Sequence, residues 1–151
     1  EQTPSKHWLW RLSATDWIEA GQRELEAGHS QVELRRTAIT HARRGAGMAL
    51  NGVLVHLRST GLAPEECTTR WGRSYIDHLR VLANAAHSHE QLAPFGPELV
   101  PPCQALMAVP VMPPRGSLIQ LAAAPNQAAL GALQNAETIV EACRLAVTAP
   151  S

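Results

Sequence analysis

The sequence predicts an all-α fold, an up-and-down bundle of four to five helices with a long proline-rich connection before the last of them. Three observations carry this expectation. Aromatic residues are only 4% of a chain that is 45% hydrophobic, and alanine supplies much of the difference, a balance that favours helices over strands. Residues 34–57 form the longest segment with unbroken helical periodicity and no proline. Seven of the eleven prolines crowd between Pro94 and Pro114, a density that forbids a long helix there. At 151 residues the chain suits one domain with a sizeable core, so residues 1–151 are read as a single unit.

Taken in order, residues 1–12 form a tail that is ordered only if Trp8 and Trp10 dock. Ser13 with Asp16 three residues on resembles a capping box and opens a helix through about Ala27, which Gly28 would stop in the left-handed conformation. Trp17, Ile18, Gly21 and Leu25 share one face of it, making Trp17 a core anchor. The central helix follows. At about 100° per residue, Arg36, Thr40, Arg43, Gly47, Asn51 and Arg58 fall on one stripe, and Ala38, Gly45, Ala49 and Gly52 on the opposite side, flanked by Ile39, Leu50, Val53 and Leu57. The small stripe lets another backbone approach closely, either within the protomer or at a dimer seam, and the basic stripe is expected to face outward.

Ser59, Thr60 and Gly61 end that segment, and Pro64 with Glu65 and Glu66 suits a new first turn. Helical spacing continues through Trp71, Tyr75, Ile76, Leu79, Leu82, Ala83 and Ala86, as one helix interrupted near Gly72 or as two short ones. The proline-rich stretch, about residues 93–118, is expected to cross the bundle in an extended form. The apolar residues interleaved with its prolines argue against a free linker. Asn126 then caps a last helix from about Gln127 to Val147 with Leu130, Leu133, Val140, Cys143 and Val147 inward.

Charge is balanced overall but divided along the chain. Residues 13–33 carry five acids against Arg23, whereas residues 34–81 carry eight arginines against Glu65, Glu66 and Asp77. Such segments either pair with each other on neighbouring helices or leave a basic face for a polyanion, with Arg36, Arg43, Arg44 and Arg58 as the candidate binding residues. Cys67, Cys103 and Cys143 are odd in number and far apart, giving neither a disulfide framework nor a CxxC pair, so a reduced, cytoplasmic setting is expected. No apolar run approaches the ~20 residues of a membrane span. No membrane association is expected.

The seven histidines form no HExxH or paired ExxH pattern, and His87 and His89 are too close to share a helical face, so no metal or other cofactor is expected. His41 and His56 read as buried, hydrogen-bonded core residues. The Gly45-Ala46-Gly47 run lies inside a helix and lacks the GKS/T of a phosphate loop, and no GxSxG or Cys-with-base arrangement supports nucleophilic catalysis.

His41-Ala42-Arg43-Arg44-Gly45-Ala46-Gly47-Met48-Ala49-Leu50-Asn51-Gly52-Val53-Leu54 resembles the HAQQAAEKALKALL helix of HEPN domains. These are small helical bundles associated with minimal nucleotidyltransferases and with prokaryotic RNases. Trp17 through Gly28 is similar to the family's first helix, Ser74-Tyr75-Ile76-Asp77-His78-Leu79 to its THDL helix start, and Ala128 through Val147 to its closing helix. The resemblance implies a homodimer. It also implies that an Arg and a His spaced R-x4–6-H, from both protomers, form a metal-independent RNA-cleaving site in active members. Arg73 and His78 have that spacing, but five steps of a regular helix turn about 500° and leave the two side chains some 140° apart. Arg73 is better placed to pair with Asp77. The expected function is therefore a non-catalytic dimeric bundle that binds a nucleotide, RNA or a partner such as a nucleotidyltransferase. The alternative is a toxin-type endoribonuclease using Arg73 and His78.

Overall fold

The computed structural model describes residues 11–61, 63–84, 94–111 and 126–148. Trp8, Trp10, His87, His89 and the proline-rich stretch beyond residue 111 lie outside the described residues. The fold is all-helical as expected, but the described residues hold six α-helices and one 3-10 turn rather than four or five helices. They are α1 (Ala14–His29), α2 (Arg35–Ser59), α3 (Pro64–Trp71), α4 (Tyr75–Ala83), α5 (Val100–Ala108) and α6 (Gln127–Thr148), with the 3-10 turn at Pro97–Leu99.

One of the expected alternatives and one departure account for the six helices. The segment after α2 divides at Gly72, whose φ of 80° a residue with a side chain rarely adopts. Ser74 then restarts the chain with a reciprocal capping box, its hydroxyl accepting from the Asp77 N–H while the Asp77 carboxylate accepts from the Ser74 N–H. The departure corrects the extended crossing expected of the prolines. Pro101 and Pro102 fall in the first turn of α5, where a backbone N–H has no acceptor within the helix, so they start a helix rather than forbid one.

Helix α2 is the shaft of the bundle. Twelve of its 25 residues are buried, which is possible only because other helices cover it on several sides. α1 and α6 pack along it, α4 packs against it, and α5 bridges α4 and α6. The small-residue stripe is an internal seam with α1. A Cβ at Gly45 would stand 2.8 Å from the Gly21 carbonyl oxygen and 2.7 Å from Leu25, and one at Gly52 would stand 2.6 Å from the Ala14 carbonyl oxygen. α1 and α2 are therefore antiparallel at near-backbone contact. The N-terminal half of α6 meets the α1–α2 turn, with Leu133 against Gly28. Gly28 is not the left-handed stop expected; α1 runs on to His29 and its C-cap Ser30 is right-handed. A Cβ at Gly28 would meet Leu133 and His41, so close packing explains the glycine.

Two side chains fall on other sides than expected. Trp17 is only partly buried, and Ile18 and Leu25 anchor α1 instead. Among the described residues Trp71 is the buried tryptophan, meeting Phe95 edge to face with centroids 6.4 Å apart. Leu130, expected inward, is 48% exposed. No helix of the described residues is long and apolar enough to cross a membrane.

Candidate functional site

The corner where α3 turns into α4 holds both members of the R-x4-H spacing, and the structure sets them in different surroundings. Arg73 lies in the turn itself with an exposed side chain, and its backbone N–H donates to Asp77 Oδ2 at 3.2 Å. The Ser74 N–H donates to the same oxygen at 3.3 Å. These bonds, with the Arg73 one foremost, hold the Asp77 carboxyl below its ordinary range. Asp77 thus pairs with the Arg73 backbone, and its other oxygen faces the Arg80 guanidinium at 3.7 Å.

His78 points the opposite way and is fully buried. Its Nδ1 is 2.7 Å from the Trp71 carbonyl oxygen, and its Nε2 is 2.8 Å from Asn51 Oδ1 on α2. Burial pushes its pKa below the ordinary histidine value, against the raising effects of the Trp71 carbonyl and of Asp77, so the ring is held neutral. A neutral ring that gives Nδ1–H to the Trp71 carbonyl has a lone pair at Nε2. The Asn51 amide must then present its NH2 end, which differs little in shape from the oxygen end. Asn51 is itself buried. The Trp71 indole N–H is buried with no acceptor among the described residues, a loss of about 1–3 kcal/mol if none reaches it.

The four arginines expected to bind a polyanion are not one surface. Arg43 is half-buried, and its guanidinium donates to three backbone carbonyls at the end of α5: Nε to Leu106 at 3.1 Å, and one amino nitrogen to Met107 at 3.3 Å and to Val109 at 2.7 Å. A cation on the last carbonyls of a helix is well placed for the helix dipole. Arg35, two turns earlier, extends the same strap with two N–H groups on the Pro110 carbonyl at 3.0 and 2.9 Å. Arg44 lies 3.7 Å from Glu24 of α1. Arg58 is partly buried and near enough to Cys67 for its charge to act on that thiol. Arg36 alone of the four is exposed, in the first turn of α2. The stripe is inward because α4 and α5 cover it: Gly47 lies under Tyr75, Asn51 meets His78, and Arg43 reaches α5. Arg70 and Arg73, three positions apart on either side of Gly72, are both exposed, as is Arg80 on α4.

Two histidines pair with carboxylates, His29 at the surface and His41 half-buried. His41, expected in the core, is partly exposed and has Nδ1 2.5 Å from Glu24 Oε2; His29 Nε2 lies 2.8 Å from Glu137 Oε1 and ties α1 to α6. His56, also expected in the core, is only partly buried. The three thiols are buried, and burial raises all of them, Cys103 to about 12, which makes them poor nucleophiles. Among the described residues no three His, Cys, Asp or Glu side chains are grouped to hold a metal ion.

Asn51, Arg35 and the Glu24–His41 pair are the polar partners that sequence reasoning missed. A polar amide amid the small and apolar residues of a mid-helix segment was the one available signal for Asn51. Nothing local marks Arg35 or Glu24. No family model, curated protein or solved structure matches the chain.

Proposed function

We propose that this chain is a HEPN-like helical-bundle protein that acts without catalysis, as a homodimer, and engages a phosphate-bearing ligand, RNA or a nucleotide, through Arg70 and Arg73 at the α3–α4 corner. One observation carries this reading. His78 is turned into the core with both ring nitrogens engaged, while the Arg73 side chain is exposed on the other side of the turn. The pair is then not free to act on one substrate, and the arginines remain as surface charge. The exposed leucines Leu34, Leu130 and Leu145 offer apolar area for a seam between protomers, since the small-residue stripe is already used by α1.

Anisotropy with labelled single-stranded RNA across a salt series tests the reading. The Arg70→Ala/Arg73→Ala variant should bind more weakly, with a salt slope shallower by roughly 1.4, since each phosphate contact to a single strand contributes about 0.7. Equal binding by variant and wild type rejects this corner, and no wild-type binding at low salt rejects the ligand class. Incubating the RNA in EDTA beside an Arg73→Ala/His78→Ala variant tests the alternative; cleavage by wild type alone would make the protein an endoribonuclease. Sedimentation showing only a 16.3 kDa species at micromolar concentration would remove the homodimer.

A further inference from the structure

We propose that His78 is a proton-operated latch: its neutral ring ties the end of α3 and the start of α4 to the shaft helix α2, and protonation of the ring releases that corner while the α1–α2–α6 packing stays closed.

The corner is the part of the bundle most dependent on a single polar contact. Helix α3 has eight residues, too few to be stable alone, and of its described side chains only Cys67 and Trp71 are buried. Its last residue, Trp71, is fixed at both ends. The indole meets Phe95, and the carbonyl accepts from His78, whose other nitrogen reaches Asn51 on α2. A single imidazole therefore joins α3, α4 and α2.

Protonation makes both ring nitrogens donors. The Trp71 carbonyl and the Asn51 oxygen can accept both hydrogens, so the objection to the charged ring is not a lost hydrogen bond. It is a charge in the core with no anion in contact among the described residues. The described groups around the ring do not supply one. On α4, Asp77 acts on the ring at a distance, but its carboxylate accepts from the Arg73 and Ser74 N–H groups and faces Arg80, and Tyr75 lies over Gly47. On α3 the charged neighbours are Glu66 and Arg70, both exposed, with the buried thiol of Cys67 between them. On α2 they are Arg43 and Arg58, both cationic, and on α5 the buried Cys103 is the only titratable side chain.

The direction follows from linkage. The folded ring has its pKa below the unfolded chain's value near 6.5. Its contribution to closure is complete above that value and is lost as pH falls through it toward the lower folded value. His29 and His41 contact Glu137 and Glu24 in the α1–α2–α6 part of the bundle and take no part in the corner.

Amide hydrogen exchange of the full chain between about pH 7.5 and about pH 5, corrected for intrinsic rates, tests the latch. Protection in α3 and the first turn of α4 should fall by up to about tenfold per pH unit below the ordinary histidine range, while α1, α2 and α6 stay protected. A His78→Gln variant, which keeps an amide for hydrogen bonding but cannot titrate there, should lose this pH dependence. Unchanged protection of the corner at low pH, loss shared equally with α1 and α2, or the same acid response in the variant would each overturn the proposal. Should the variant not fold, the ring 15N shifts of wild-type His78 decide. A ring that stays neutral until the corner opens supports the latch, and one that titrates at the ordinary value with the corner protected overturns it. None of these readouts involves RNA, so the latch stands or falls apart from the ligand proposed above.

Discussion

Where α1 crosses α2, contact is made by backbone and small side chains; where α4 and α5 meet the same helix, a few polar groups make the decisive ties. Gly21, Gly45 and Gly52 bring two backbones nearly together over apolar neighbours such as Ile18, Leu25 and Leu50. On the other side of α2, Asn51 meets His78, and Arg35 and Arg43 hold the carbonyls that close α5. Close packing spreads its energy over many weak contacts and tolerates changes of pH and salt. Buried polar ties concentrate theirs in single atoms and carry a larger penalty when one partner is lost or changes charge. One half of the bundle is therefore a rigid pier, and the other is an attachment that a single proton or side chain can loosen.

That contrast can be broken most forcefully at the pier. Gly45→Leu must part α1 from α2 or displace Leu25, and is expected to cost about 3 kcal/mol or more, read as a shift in the denaturation midpoint. An unaltered midpoint would mean that the crossing can separate freely, and the distinction between the halves would fail.

A smaller and more local loss is expected at the attachment. Arg43→Ala removes hydrogen bonds from a cation to three carbonyls; because the guanidinium is partly exposed, the cost should be about 1.5 kcal/mol. Exchange should quicken in α5 while the α1–α2 amides hold. Equal loosening of both would show that the arginine strap supports the whole bundle.

The pairs with carboxylates should matter least. Glu24→Gln weakens the contacts to His41 and Arg44 and should change stability by about 0.5 kcal/mol at low salt, with the difference shrinking as salt is added. A loss as large as that of Gly45→Leu would show that charge, and not close approach, holds α1 on α2.

The sequence by itself determined α1, α2, α6 and the interruption at Gly72. Periodicity located α2 and α6 to within two residues, Ser13 marked the start of α1, and Gly72 marked the break before α4, because these features depend on dihedral preference and hydrogen bonds within a few residues. The small stripe of α2 was legible for the same reason. Only the tertiary structure decided what each side of α2 faces. Arg43 lies on a stripe that periodicity alone assigns to solvent, and it is drawn inward because the carbonyls at the end of α5 come to it from more than 60 positions away. The prolines expected to rule out a long helix and run extended instead start a short one, since their cost depends on position within the first turn and not on their number. His78 is a core residue because Asn51, 27 residues away, and the Trp71 carbonyl converge on its two nitrogens. Local spacing settles where a helix begins and which residues share a face. Whether a polar residue on that face meets water or a distant partner is settled only when the other helices close over it.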